Sequence, residues 1–249
     1  MSVPRFVVAT AALAGSQVVL EGSELRHLRV RRVRVGDTVA LTDGAGCERY
    51  GVLVALDRQR AVIELSATAL VARELPVRLT LALALLKGDK TDLVVEKATE
   101  LGAHAVVLFT SERTVGRAGA ERRERWTRLA RSAAKQSGRA VVPSITGPIA
   151  FRDLLAATTD PLRLVLWERA APGGLGSVWQ ESALPASVTV AVGPEGGFAD
   201  TEIEAARAAG FLPVGLRSPI LRAETAAIAA VTLCAHLWDM RPPVPAQVG

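Results

Sequence analysis

From Leu79 onward short apolar runs alternate with segments of helical period, and this alternation narrows the possible folds more than any other feature of the chain. Leu79 to Leu86 reads as a buried strand, Lys90 to Leu101 as a helix stopped by Gly102, and Ala105 to Phe109 as the next strand. Between Glu121 and Ser137 the spacing predicts a helix with Trp126, Leu129, Ala130, Ala133 and Ala134 on one stripe and Arg128, Arg131 and Lys135 on another side. Further strands are expected at Leu162 to Trp167, Val188 to Val192 and Phe211 to Leu216. A last helix, Glu224 to Asp239, carries Ala and Leu on more than one side, which predicts burial against the body or a second subunit. Such alternation with short connections predicts an α/β domain with a largely parallel sheet covered on both faces. Pro242-Pro243-Val244-Pro245 ends regular structure, and the tail to Gly249 is expected to be mobile.

The opening seventy-odd residues have a different texture. Thr38 to Thr42 runs into the turn residues Asp43-Gly44-Ala45-Gly46, and Tyr50 to Leu56 and Ala61 to Leu65 follow as strands. Ser23 is the expected N-cap of a short helix carrying Leu25, Leu28 and several arginines. A small β-barrel with one helix over residues 1–73, followed by an α/β domain over 74–249, is the organisation these patterns predict. Phe6 to Gly15 could pass for a signal-peptide core, but only Arg5 precedes it as a positive charge and Pro4 and Thr10 interrupt it, so an opening strand is expected.

Charge and cysteine usage bound the function. Cys47 and Cys234 fit neither a disulfide framework nor a metal-ligand spacing, and His27, His104 and His236 have no second ligand type at useful spacing, so two thiols in a reducing cytoplasm and metal-free chemistry are expected. No run approaches a membrane span. The net charge of +5 is unevenly placed. Glu112 to Arg139 holds nine Lys/Arg against three Glu, and Arg26, Arg29, Arg31, Arg32 and Arg34 stand together with no acid between Leu25 and Gly36. Two separated basic clusters suit an extended polyanion, because each phosphate contacted releases condensed counterions. With aromatics at 4%, phosphate and shape contacts are expected rather than a base-stacking platform.

Two segments carry the expected chemistry. Gly193-Pro194-Glu195-Gly196-Gly197-Phe198 and Ile220-Leu221-Arg222-Ala223-Glu224-Thr225-Ala226 each follow a strand and enter a helix. Loops leaving the carboxyl ends of parallel strands are where ligands bind in open α/β sheets, so the two are candidate neighbours in one pocket. The first lacks both the G-x-G-x-x-G spacing of a dinucleotide fingerprint and the Gly-Lys-Ser/Thr ending of a P-loop, which disfavours a nicotinamide enzyme.

These two segments, with Lys87, Glu96-Lys97-Ala98-Thr99-Glu100-Leu101-Gly102, Glu112-Arg113-Thr114, Gln136-Ser137-Gly138-Arg139 before Val142-Pro143, Pro4-Arg5-Phe6 and Leu25-Arg26-His27-Leu28, occur in an order that resembles the bacterial 16S ribosomal RNA uridine-N3 methyltransferases. The resemblance spans nearly the whole chain. It implies an N-terminal PUA-like barrel for RNA, a C-terminal α/β domain of the SPOUT class with a deep trefoil knot, S-adenosylmethionine as methyl donor, a homodimer, and the small ribosomal subunit as partner. The chain departs from the pattern at Leu216-Arg217-Ser218-Pro219, where the family has Leu-Gly-x-Arg, and at Lys135, where it commonly has glutamate.

By resemblance the cofactor would lie against Leu166, Trp167 and Glu168, against Val192, Gly193, Pro194, Glu195, Gly196 and Gly197, and against Leu216, Ser218, Ile220, Leu221 and Thr225. Methylation at N3 requires loss of a proton, and Arg222 is the expected cation for the charge that spreads onto the flanking carbonyl oxygens. Its other reading is an ion pair with Glu224 or Glu195, and those same carboxylates and solvent are the candidate bases. The expected RNA contacts are Arg5, Arg26, His27 and Arg29, then Lys87, Lys90, Arg113 and Arg117, and finally Gln136 and Arg139. A protein that keeps the fold and RNA binding without catalysis is the alternative, motivated by Arg217 and Pro219.

Overall fold

The computed structural model describes residues 3–70, 74–116, 119–170, 174, 185–216 and 220–240. The chain divides into two compact units, Met1–Glu74 with Ala134–Val142, and Leu75–Ala133 with Pro143–Gly249.

In the first unit, alternation of buried and exposed side chains builds one curled sheet. Its strands are β1 (Arg5–Val7), β2 (Gln17–Leu20), β3 (Thr38–Thr42), β4 (Glu48–Leu56) and β5 (Ala61–Leu70), ordered β1-β3-β4-β5-β2 and antiparallel apart from the parallel β1–β3 pair. Register shifts between Arg49 and Gly51 and between Leu53 and Ala55 bend β4 against β5, as bulges do. Phe6, Val18, Leu20, Val39, Leu41, Leu53 and Ile63 form the core with Leu13 of a short 3-10 turn, Thr10–Ala14. Leu25 and Leu28 of α1 (Gly22–Val30) close it. The helix starts one residue before the expected cap Ser23, because Gly22 at φ +54 turns the chain in the left-handed region.

Residues 134–142 bring this unit two cations that pair with its acids. Lys135 Nζ lies 2.6 Å from Glu24 Oε1, so it does not belong to the free basic face expected of its helix. Arg139 is 6% exposed and its Nη2 donates to Glu74 Oε2 at 2.6 Å, while Glu74 Oε1 accepts from the Ala140 and Val141 N–H groups, each at 3.1 Å.

The second unit is a six-stranded, wholly parallel sheet. In chain order it runs β6 (Arg78–Ala84), α2 (Lys90–Glu100), β7 (Ala105–Thr110), α3 (Ala120–Ser137), β8 (Ser144–Ala150), α4 (Phe151–Ala157), β9 (Leu162–Leu166), β10 (Ser187–Val192), α5 (Asp200–Ala208), β11 (Leu212–Val214) and α6 (Ala223–Met240). Side chains alternate between its faces. Ala82, Ala84, Val165 and Ala191 lie in one cluster with Leu154 and Leu155 of α4 and Ile203 and Ala206 of α5. The small alanines leave room for the rings of Phe109, Phe151 and Phe198, which pack at centroid distances of 5.1, 6.1 and 5.0 Å. On the other face, α6 packs on α2, β6 and β10, with Ala227, Ala230, Val231, Cys234 and Trp238 fully buried.

Strand order β11-β9-β10-β6-β7-β8 fixes where a ligand can enter. The chain moves outward from β6 through β7 to β8, then returns to build β9, β10 and β11 on the other side, so connections diverge between β6 and β10. A crevice opens at such a switch point, at the carboxyl ends of the strands.

Candidate active site

Leu166–Glu168 after β9, Val192–Phe198 after β10, and Val214 and Leu216 at the end of β11 emerge side by side and, with residues 220–223 and Ala226, wall a cavity of about 640 Å³. Each wall follows from local sequence. After the buried run Val188–Val192, Gly197 N–H donates to Pro194 O at 2.9 Å, and Gly197 takes φ +68, a conformation glycine reaches without strain. The turn folds Phe198 back into the core, where it is 1% exposed. A Cβ on Gly193 would stand 3.0 Å from that ring, so the loop can approach its own anchor only because position 193 has no side chain.

The loop is also held from two other strand ends. Glu195 Oε1 accepts the Lys87 N–H at 3.0 Å, and Arg113 Nη1 donates to Gly196 O at 3.1 Å. Burial works to raise the Glu195 carboxyl, but the Lys87 and Glu195 N–H groups and the Lys90 ammonium outweigh it and hold it below the usual carboxylate range. Lys90 Nζ stands 3.6 Å from Glu195 Oε1 and 3.2 Å from Glu224 Oε2. On the β9 side, the Trp167 N–H donates to Val214 O at 3.0 Å, and the guanidinium of Arg169 lies over the indole at 4.8 Å.

Of the residues that the sequence assigns to a cofactor, Leu166, Trp167, Glu168, Val192, Gly193, Pro194, Glu195, Gly196, Gly197, Leu216, Ile220 and Leu221 line this one cavity, with Arg222 beside them. Thr225 is exposed and outside the wall, because one step along α6 turns it away. Ser218, with Arg217 and Pro219, lies outside the described residues, as does Arg117. The guanidinium of Arg222 is exposed and has no hydrogen bond or ion pair among the described residues. Both carboxylates expected to capture it are on Lys90 instead. Phe198, Val214, Ala223 and Ala226 also line the cavity, though the sequence did not assign them to the cofactor. The i, i+3 spacing of Ala223 and Ala226 on the first turn of α6 was the available signal.

The residues expected on RNA divide. Lys90 is a cavity wall, drawn there by the two acids. Arg139 is buried on Glu74, and Arg5 pairs with Glu48 at 3.2 Å. His27 packs edge-on to Phe6 at 5.2 Å, and its pKa is lowered first by burial and then by the Lys135 charge. Arg26, Arg29, Lys87, Arg113 and Gln136 remain exposed, Arg29 also donating to Asp57 O at 2.7 Å.

Residues 73–235 match the family model of the RNA methyltransferase domain, and residues 20–66 match that of the RNA methyltransferase PUA domain. This chain belongs to the RNA methyltransferase family. Among the members it resembles, the ribosomal RNA small subunit methyltransferase E of Synechocystis is 37% identical over 91% of this chain and 75% of its own length. The Bacillus subtilis protein of the same name is 32% identical over 89% and 90%. The Neisseria gonorrhoeae methyltransferase E, crystallised bound to S-adenosyl methionine, is 34% identical and superimposes with a TM-score of 0.87 over 95% of this chain and 98% of that one. The family assignment matches the architecture: a SPOUT-class parallel α/β unit and a PUA-like curled sheet. Among the described residues no helix is long and apolar enough to cross a membrane.

Proposed function

We propose that this chain transfers the methyl group of S-adenosylmethionine to N3 of a uridine in the 16S ribosomal RNA of the small subunit, acting as a homodimer in the cytoplasm. The cavity at the ends of β9, β10 and β11, with an arginine at its edge whose guanidinium pairs with none of the described residues, is the observation that carries this reading. Its volume of about 640 Å³ falls in the range of small-molecule sites. Leu166, Val192, Leu216 and Leu221 suit the flat base of a nucleoside, and loop backbone groups suit its polar edge. Glu168 suits a cationic group of the donor. Bound there, S-adenosylmethionine supplies a methyl group activated on a sulfonium.

The protein's task is to align the acceptor with that methyl group and exclude water. Phe198 and Gly193 fix the loop at the cavity floor. Uridine N3 must lose its proton, and the charge then spreads onto the adjacent carbonyl oxygens. The Arg222 guanidinium, free of protein partners among the described residues, stabilises that charge. Glu195, held below the usual carboxylate range, is a weaker proton acceptor than an unpaired carboxylate, Glu224 is ion-paired to Lys90, and the proton passes to water. Phosphates are held by Arg26 and Arg29 on the first unit and by Lys87 and Arg113 on the second.

A thermal melt tests the cofactor assignment. A ligand bound only by the folded state at one hundred times its Kd stabilises by about 2.7 kcal/mol, so S-adenosylmethionine should raise Tm. An unchanged Tm at saturating concentration would favour an RNA-binding protein without catalysis.

A further inference from the structure

Lys90 is the first residue of α2, a position where the free N–H groups of a helix disfavour a cation. Asp92, in the same turn, has the sign that position favours. A residue that breaks a local rule is a candidate for work elsewhere. Its ammonium reaches 3.2 Å from Glu224, in the first turn of α6, and 3.6 Å from Glu195, in the glycine loop. Among the described residues no other Lys or Arg pairs with either acid.

Arg222 precedes Glu224 by two residues and shares the cavity wall with Glu195. Arginine and carboxylate form the strongest charge-assisted pairs that side chains offer, so an arginine in this setting should be captured. Among the described residues it is not, and Lys90 holds both acids.

We infer that Lys90 is a positioning residue: by engaging Glu195 and Glu224 it keeps the guanidinium of Arg222 unpaired and open to the substrate. This rests on the reading of Arg222 as the cation that meets the developing charge. Lys90 itself need touch neither substrate nor donor for the effect. Its removal should free the Glu224 carboxylate and leave Glu195 with the Lys87 N–H alone, and turnover should fall because the arginine is occupied.

The test compares Lys90→Met, which keeps the aliphatic stem, with Lys90→Met/Glu224→Gln, following methylation of small-subunit RNA and calorimetric binding of S-adenosylmethionine. Lys90→Met should lower kcat about tenfold or more while the donor's Kd changes less than about threefold. The second substitution should restore at least about fivefold of kcat, because it removes a carboxylate that captured Arg222. Lys90→Arg should stay near the parent. Undiminished turnover in Lys90→Met, or loss that Glu224→Gln fails to rescue, would overturn the inference. Should Lys90→Met fail to fold, Lys90→Gln takes its place under the same rescue criterion. Arg222→Ala, measured alongside, separates the two claims. Normal turnover there sinks the assignment of Arg222, whereas an inactive Arg222→Ala beside an unrescued Lys90→Met sinks only the role of Lys90.

Discussion

Arg139, Lys135 and Arg5 are cations spent inside the first unit, each on a carboxylate far away in sequence. The separations are 65, 111 and 43 positions, which is why a count of local charge could not distinguish them from Arg26 or Arg29. The basic clusters were legible; the partners that neutralise some members were not. Replacing Arg139 by Met should cost about 3 kcal/mol in urea denaturation, because it leaves the Glu74 carboxylate without its buried partner. An effect confined to RNA affinity would contradict that. His27 gives a pH dependence. Its folded-state pKa is depressed, so its contribution to stability is complete above its ordinary value near 6.5 and is lost as pH falls toward the folded value. Melts between pH 7 and 5 should therefore show a loss that His27→Gln reduces. Burial pushes the Cys234 thiol up to about 12, so at pH 8 a thiol reagent should label exposed Cys47 and spare Cys234 until the protein unfolds.

At the scale of elements, the glycine loop was legible in the sequence as a strand-end turn but its anchor was not. Phe198 closes the motif, and only the packed structure reveals that it belongs to a three-ring cluster and sets the limit on Gly193. Gly193→Ala should weaken S-adenosylmethionine binding by about tenfold or more and cost about 1–3 kcal/mol in denaturant unfolding, since the added methyl overpacks against the Phe198 ring. Phe198→Ala should instead cost about 3–5 kcal/mol in denaturant unfolding, because it empties a buried ring. Three elements, β2, β8 and α4, escaped the sequence reading. Gly147 and Pro148 interrupt the strand pattern of β8. The helix α5 follows Ala199, which has no side chain to cap it, and Glu202 Oε2 accepts the Ala199 N–H at 3.0 Å instead.

For the whole molecule, the change of texture near Pro76 marked where the α/β pattern begins, yet residues 134–142 belong to the first unit although they lie inside the sequence of the second. Linear texture cannot report such a return, because it depends on pairs like Arg139 with Glu74. The parallel sheet and the meeting of the two motif loops in one cavity followed from alternation and from the rule for strand ends. RNA binding should weaken steeply with salt, and Arg26→Ala/Arg29→Ala should reduce the log–log slope by about 1.5, as loss of two phosphate contacts predicts. An unchanged slope would move the RNA surface elsewhere. The most direct measurement is methyl transfer itself: small-subunit RNA incubated with labelled S-adenosylmethionine and the protein, then mapped by mass and by reverse transcription. The expected product carries one methyl group on uridine N3, which blocks the Watson–Crick edge and halts the transcriptase, and Arg222→Ala should give none. Label on a ribose or another base, or none at saturating donor, would contradict it.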